Sequence, residues 1–242
     1  MKEIVEFFKQ ILHSIESETK NNVSNVNPTE IFNEGWMTRL LVHQSIKEKI
    51  KIDGLIDFSK VKNWSSEGLI SSPFVKTKKN KEGYTHTDIA LGDFTINYEN
   101  RGDIIVAKKA TTFGIIEAKM KSNLSQRTTN ALNYNQASRN LACIAENVKN
   151  ESCQTFFTVV APRKMIDKHD IKSQVERDKI IHQISNRYKL SELTVDMELI
   201  NRAKKCNIKV LSYEDWIDLL SDKNKGVINK FYMNCLKWNR VK

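Results

Sequence analysis

The stretch FGIIEAKMKS, residues 113–122, joins an apolar run to a carboxylate and an ammonium group. Glu117 and Lys119 are two residues apart. On a β-strand their side chains therefore point to the same face, roughly 6–7 Å apart along the chain. Residues of these types at this spacing support two interpretations, an ordinary exposed ion pair or one half of a catalytic site.

A second carboxylate beside Glu117 would complete a minimal set for cleaving phosphodiesters. Two carboxylates a few ångströms apart bind a hard cation such as Mg²⁺ through their oxygens. Such a cation lowers the pKa of a bound water and neutralises charge on a phosphate oxygen. Lys119, on the same strand face, can orient that water or stabilise the phosphate as a point charge.

Two aspartates are candidates for this second carboxylate. If the strands DIIVAKK and FGIIEAK form a hairpin centred near Ala110, then Asp103 lies opposite Glu117. The preceding Asn-Arg-Gly explains Asp103 equally well as a turn residue. Asp88 opens the apolar strand in THTDIAL, but it reaches Glu117 only if the intervening strand bends or bulges. The residues alone leave both aspartates open.

The hydrophobic periodicity predicts the elements that position these groups. Three consecutive strands with short turns between residues 85 and 119 predict an antiparallel three-strand meander. The full order predicts an α/β fold with a central mixed sheet flanked by helices. We expect one domain over residues 1–242, with its core at about 28–215. The other predicted elements are helices at 2–19, about 28–50, about 125–148 and within 163–203, a strand buried on both faces at 154–162, another strand at 207–212, and a basic C-terminal helix.

Composition narrows the classes of partner. Of the 242 residues 40% are hydrophobic, and 39 Lys and Arg against 29 Asp and Glu give a net charge of +10. This charge favours an anionic partner, nucleic acid before membrane. No run approaches the roughly 20 apolar residues of a membrane span. The four cysteines lack the spacing of a zinc site or a disulfide framework, which fits a cytoplasmic location.

The residues around Glu117 resemble the PD-(D/E)xK, or restriction-endonuclease-like, nuclease superfamily. The resemblance lies in an Asp at a strand start followed by the apolar-apolar-Glu-x-Lys strand at 115–119, with one helix before the meander and one after it. It implies a restriction-endonuclease-like core in which the Asp and Glu117 bind Mg²⁺, the carbonyl of Ala118 can join them, and Lys119 assists the attack. The segments WSSEGLISSPF, THTDIALGDF and IIEAKMKSNLS are similar to uncharacterised bacterial members, which favours Asp88 over Asp103. No Pro precedes either Asp, a departure from the family pattern.

The same resemblance implies site residues on two helices. Glu34 in FNEGWMTRLL matches a Glu on the helix before the sheet in many members, and Gln136 in NYNQASRNLA matches a polar residue on the helix after it. Arg139 lies one turn beyond Gln136. A basic protein of this kind can also contact a phosphate backbone through its solvated cations. The candidates for this role are Lys76, Lys78, Lys79 and Arg139.

We therefore expect a metal-dependent nuclease that hydrolyses phosphodiester bonds with Mg²⁺, for which Mn²⁺ can substitute. DNA is favoured over RNA as substrate, with restriction, defence or repair as the setting, and a homodimer or larger complex is left open. The alternative is a non-catalytic nucleic-acid-binding or assembly module on the same fold. The sequence has no Gly-x-Ser-x-Gly elbow and no nucleotide-binding glycine loop, which disfavours serine-hydrolase or nucleotide-driven chemistry.

Overall fold

The computed structural model describes residues 2–16, 26–99, 101–125 and 131–241. The strands are β1 (Lys51–Ile52), β2 (Ile56–Asp57), β3 (Asn63–Ile70), β4 (Thr85–Gly92), β5 (Phe94–Asn97), β6 (Asp103–Val106), β7 (Thr112–Ala118), β8 (Gln154–Ala161) and β9 (Asn207–Ser212). The helices are α1 (Lys2–Glu16), α2 (Pro28–Ile31), α3 (Glu34–Glu48), α4 (Gln136–Asn147), α5 (Arg163–Lys168), α6 (Ile171–Gln174), α7 (Arg177–Leu190), α8 (Met197–Lys205), α9 (Tyr213–Asp218) and α10 (Asp222–Trp238), with a 3₁₀ turn at Phe58–Lys60.

The fold is α/β, with a mixed seven-stranded sheet flanked by helices. The strand order is β5-β6-β3-β4-β7-β8-β9, and β1 with β2 forms a separate hairpin. The pairs β5–β6, β3–β4 and β4–β7 are antiparallel, whereas β3–β6, β7–β8 and β8–β9 are parallel. The sheet therefore changes from antiparallel to parallel pairing at β7, the strand that carries Glu117.

The core has two layers, one on each face of the sheet. On β8, Phe157 and Val159 pack into the layer that contains α4, whereas Phe156 and Val160 pack into the layer that contains α3. A strand with apolar side chains on both faces is typical of the buried centre of a sheet. The prediction of a doubly buried strand at 154–162 is confirmed for Gln154–Ala161.

Asparagine caps set the starts of the helices around the site. The predicted cap Asn27 is confirmed, since its side chain accepts a hydrogen bond from the Thr29 amide at 3.1 Å. The single helix predicted over 28–50 is divided into α2 and α3, because Asn33 caps a second start. The helix predicted from about 125 begins at Gln136, where Asn135 is the cap, and residues 126–130 lie outside the described part of the chain.

The predicted meander is wrong in its pairing, because the strands at 103–106 and 112–118 are not neighbours. Gly92 ends β4 with φ of 131°, and a Cβ there would lie 2.1 Å from the carbonyl oxygen of Thr112. Next to this break the carboxylate of Asp93 accepts hydrogen bonds from the amide and hydroxyl of Thr111, at 2.7 and 2.8 Å. These contacts anchor the segment before β7 beside β4, so β7 pairs with β4 and no hairpin forms with β6.

This topology removes Asp103 as a partner of Glu117. Asp103 opens β6, where it pairs with Leu69 of β3 and Asn97 of β5. Two strands, β3 and β4, separate β6 from β7, a distance of roughly 14 Å at ordinary strand spacing.

The terminal helices differ in their packing. The apolar residues Ile4, Val5, Phe7 and Phe8 of α1 are exposed, so the buried face expected for a helix at 2–19 is not present for these residues, and residues 17–19 lie outside the described chain. By contrast α10 packs on the α3 layer, where the rings of Phe231 and Phe32 lie 5.1 Å apart. Within the described ranges no helix is long and apolar enough to cross a membrane.

Candidate active site

Two carboxylates face each other across the strands β4 and β7. The ladder pairs Ile89 with Ile116, and one step further along it Asp88 lies opposite Glu117. Residues directly opposite on antiparallel strands have Cβ atoms roughly 4.5–5.5 Å apart. The Ala118 amide donates a 2.7 Å hydrogen bond to Oδ2 of Asp88, which holds the carboxylate against the end of β7. No strand intervenes between these residues, so the bend expected for Asp88 is unnecessary.

Glu117 is buried, with 3% of its surface exposed, and both of its carboxylate oxygens accept hydrogen bonds. Lys119 Nζ and Gln136 Nε2 donate to Oε1, at 2.6 and 2.9 Å. Asn140 Nδ2 donates to Oε2 at 2.8 Å. Gln136 and Asn140 are four residues apart on α4 and so point in the same direction. Three donors, two on α4 and one just after β7, therefore fix the orientation of the Glu117 side chain.

Lys119 is buried beside the carboxylates just beyond the end of β7, where its own amide bonds the Val160 carbonyl of β8 at 2.8 Å. Burial lowers the pKa of its ammonium group. The negative charges of Glu117, Asp88 and Glu34 raise this pKa by more than burial lowers it, so the net shift is upward. The side chain is therefore a cation at neutral pH.

Asp88 has a strongly perturbed carboxyl group. Burial and the charge of Glu117 raise its pKa to about 7, against the opposing effects of the Ala118 amide and Lys119. A smaller part of this increase comes from the charge of Glu67. Two carboxylates in contact cannot both ionise without cost unless a cation neutralises them. The site carries more negative charge than its single lysine balances.

Glu67 lies next to Asp88 on the other side, in β3. The β3–β4 ladder keeps its register but skips Glu67 and Asp88 themselves. Glu67 has φ of 55°, a left-handed conformation that non-glycine residues rarely adopt within a strand. Its carboxylate forms a 3.5 Å ion pair with Arg39 of α3. The sequence offered no signal for Glu67 because its position depends on strand pairing.

Glu34 is the first residue of α3 and is half-buried. Its charge acts on Lys119 and on the buried Tyr213, whose hydroxyl lies 3.5 Å from the Glu34 carbonyl oxygen. The structure thus brings Glu34 to the periphery of the cluster, while Asp88, Glu117, Lys119 and Gln136 meet at its centre. Ala118, the last residue of β7, lies between Glu117 and Lys119, and its amide donates a hydrogen bond to Asp88.

The residues predicted to bind nucleic acid lie elsewhere. Arg139 forms a 2.8 Å ion pair with the buried Glu82, so its charge is already engaged. Lys76, Lys78 and Lys79 are exposed in the segment before β4, and Lys79 pairs with Glu192. None of these four contacts Asp88 or Glu117 through any hydrogen bond or ion pair in the described chain.

The donor set fits a hard divalent cation. Asp88 and Glu117 offer carboxylate oxygens, the ligands that Mg²⁺ prefers, and Mg²⁺ usually keeps several waters as its remaining ligands. The buried Oδ1 of Asn140 finds no hydrogen-bond donor among the described residues, which leaves an acceptor for a water beside Glu117. The described ranges contain no group of three or more His, Cys, Asp or Glu side chains arranged to hold a metal, so a cation here would rest on two carboxylates.

Comparisons of this chain with known protein families, proteins and structures found no match. No family model, no curated protein and no solved structure matched it. The candidate site therefore rests on the geometry of Asp88, Glu117 and Lys119 and on the α4 amides that bond Glu117.

Asn140 is a site residue that the sequence interpretation missed. It lies four residues after Gln136, so helical periodicity places it on the same face of α4. The four-residue spacing from Gln136 is therefore a sequence signal for Asn140. This signal is weak, because an amide at a buried helical position is also explained by core hydrogen bonding.

Proposed function

We propose that this protein is a Mg²⁺-dependent nuclease with a restriction-endonuclease-like core, which hydrolyses phosphodiester bonds in DNA. The observation that carries the proposal is the meeting of Asp88, within β4, with Glu117 and Lys119 at the end of the neighbouring strand β7. Excess negative charge at Asp88 and Glu117 favours a bound divalent cation, for which Mn²⁺ is a chemically similar substitute. The net charge of +10 favours a polyanionic substrate.

Asp88 and Glu117 would hold the cation, which supplies a water of lowered pKa and positive charge beside the phosphate. The protein residues orient the two carboxylates and neutralise charge on the phosphate. Gln136 and Asn140 hold the Glu117 carboxylate in one orientation, and the Ala118 amide does the same for Asp88. Such preorganised contacts contribute to rate because they need no rearrangement during the reaction.

Lys119 acts as a cation and not as a base in this proposal. Its raised pKa keeps the ammonium protonated at neutral pH, so it cannot accept a proton from water there. An ammonium group held 2.6 Å from Glu117 Oε1 can donate a further hydrogen bond to a phosphate oxygen and neutralise the charge that develops on it.

The test is cleavage of fluorescently labelled DNA in Mg²⁺, in Mn²⁺ and in EDTA, using substitutions with matched controls. We expect Asp88→Asn and Lys119→Gln to lower the cleavage rate by about 10²–10³-fold or more. Asp103→Asn and Lys121→Gln make the same chemical changes away from the cluster and should retain the rate. Metal-dependent cleavage that survives both Asp88→Asn and Lys119→Gln would remove the site assignment.

A second candidate is a non-catalytic nucleic-acid-binding or assembly module. The observation that favours it is that both oxygens of Glu117 already accept protein hydrogen bonds, as in a structural ion pair. It predicts metal-independent binding of nucleic acid without cleavage of DNA or RNA in any divalent cation. In that case Asp88→Asn would leave binding unchanged.

A further inference from the structure

An exposed aromatic ring with a stacked guanidinium lies on α3, and the guanidinium forms an ion pair with Glu67. Trp36, in the first turn of α3, has 44% of its surface exposed. The guanidinium carbon of Arg39 lies 5.1 Å from the centre of the indole ring. Gly35 leaves room for this arrangement, since a Cβ there would lie 3.3 Å from Nη1 of Arg39. We call Trp36 and Arg39 the stacking pair.

The stacking pair adjoins the site through Glu67. Arg39 Nη2 lies 3.5 Å from Glu67 Oε1, and Glu67 is the residue of β3 that lies opposite Asp88. Glu34, two residues before Trp36, acts electrostatically on Lys119. The stacking pair is therefore connected to the cluster by the ion pair of Arg39 with Glu67, and it lies on the helix that begins at Glu34.

The charge of the site explains why such a pair is needed. The carboxylates of Glu34, Glu67, Asp88 and Glu117 repel a phosphate backbone. Among the described residues, Lys119 and Arg39 are the cations that form ion pairs with members of this group. Stacking on an aromatic ring is not weakened by this repulsion, because the bases are uncharged. Base–aromatic stacking is a common source of affinity for single strands and tolerates any base.

We propose that the stacking pair binds one unpaired nucleotide of single-stranded DNA next to the scissile phosphate. Arg39 covers one face of the indole, and the base stacks on the exposed part of the ring. The guanidinium then contacts the adjoining phosphate. A base within a duplex is stacked on its neighbours and is not available to Trp36, so the stacking pair selects single strands. The inference rests on the proposed nuclease function and deepens it by naming the substrate class.

The experiment measures binding of a labelled deoxythymidine oligonucleotide by fluorescence anisotropy in EDTA, where no hydrolysis occurs. We expect Trp36→Ala to weaken single-strand binding by about 5–150-fold. Tyr98→Ala is the matched control, because Tyr98 is also an exposed aromatic residue but follows β5 at the far edge of the sheet. Thermal unfolding of each variant checks that the fold is retained.

Two further arms isolate the stacking. An oligonucleotide of abasic sites keeps the backbone but lacks bases, so it should bind weakly and equally to the wild-type protein and Trp36→Ala. A duplex of equal length should also bind both proteins equally. Arg39→Gln should reduce the slope of log K against log salt by about one.

Several results would overturn the proposal: no binding of single-stranded DNA by the wild-type protein, equal loss for duplex and single strand, or a loss with abasic DNA. An unchanged affinity in Trp36→Ala would do the same. Failure of the nuclease proposal is separate, since it appears as absent cleavage in Mg²⁺ while the Trp36-dependent binding in EDTA persists.

Discussion

Two buried carboxylates are held by side chains of the same helix, α4, in different electrostatic surroundings. Glu117 at the end of β7 bonds Gln136 and Asn140, whereas Glu82, in the segment before β4, pairs with Arg139. Their exposed fractions are 3% and 5%, so burial does not distinguish them. The difference lies in the charges that surround each carboxylate.

Around Glu82 the negative charge is balanced by the guanidinium of Arg139. Glu82 also accepts a hydrogen bond from Ser72, and the guanidinium of Arg187 lies 4.6 Å from the ring centre of the nearby Phe74. Burial and the charge of Glu82 raise the pKa of Tyr134, while Arg187 and Arg139 oppose that increase. A buried carboxylate that is paired with the guanidinium of Arg139 needs no further cation. We infer that this cluster anchors the segment before β4 to α4 and α7.

Around Glu117, by contrast, negative charge is in excess. Asp88 lies opposite Glu117, Glu67 and Glu34 act on the same groups, and Lys119 is the cation in contact. Surplus charge in a buried cluster destabilises the fold and is characteristic of functional sites. The comparison teaches that net charge separates a structural buried pair from a candidate catalytic one better than burial does.

The largest expected effect is the difference in cleavage rate between replacing Glu117 and replacing Glu82 by glutamine. Glu117→Gln should lower the Mg²⁺-dependent cleavage rate by at least about 10³-fold, because it removes a cation ligand and the partner of Lys119. Glu82→Gln makes the same chemical change in the balanced cluster and should retain cleavage in the folded protein. Single-turnover cleavage rates of both variants give the comparison, and equal losses would show that the two clusters do not differ in function.

The sequence was sufficient for some of these features because they depend on local periodicity. The shared face of Glu117 and Lys119, the Asn27 cap and the doubly buried β8 follow from strand and helix periods and from the chemistry of N-caps. The pairing of β7 was not predictable in this way. It depends on Gly92 and on the Asp93–Thr111 contact, which link residues about twenty positions apart.

The choice between Asp88 and Asp103 illustrates the same limit. The sequence pattern predicts that both aspartates open a strand and so does not distinguish them. The prediction is confirmed for Asp103 but wrong for Asp88, which is the fourth residue of β4, and only the strand order places Asp88 beside Glu117. Glu67 was missed for this reason as well. Whether these residues act in catalysis stays a prediction, which the substitutions decide.

A smaller effect is expected on stability at the balanced cluster. Glu82→Gln removes the partner of Arg139 and leaves buried guanidinium charge uncompensated. We expect the free energy of unfolding to fall by about 2–3 kcal/mol, measured by urea denaturation at pH 7. Arg139 retains some solvent access, which limits the loss. A stability equal to that of the wild type would show that the ion pair does not anchor the loop.

The smallest effect, opposite in sign, is expected at Asp88 in the absence of metal. Its pKa rises from 3.8 to about 7 on folding, so the folded protein binds this proton more tightly than the unfolded chain does. Asp88 therefore lowers stability as the pH rises from about 4 to 7, and Asp88→Asn removes that loss. The interval of 3.2 pH units sets an upper limit of about 4 kcal/mol, which solvent access reduces to an expected 1–2 kcal/mol.

Denaturation in EDTA at pH 5 and pH 8 measures this effect, and Asp103→Asn is the matched control. The wild type should lose stability relative to Asp88→Asn between these two values, while Asp103→Asn should follow the wild type. Saturating Mg²⁺ should reverse the difference, because a ligand at 100 times its Kd stabilises the folded state by about 2.7 kcal/mol. Protonation of Asp88 competes with the cation, so this stabilisation should be weaker at pH 5 than at pH 8. If the free energy of unfolding of the wild type depends on neither pH nor Mg²⁺, the surplus charge at Glu117 is compensated within the chain, as the charge of Glu82 is.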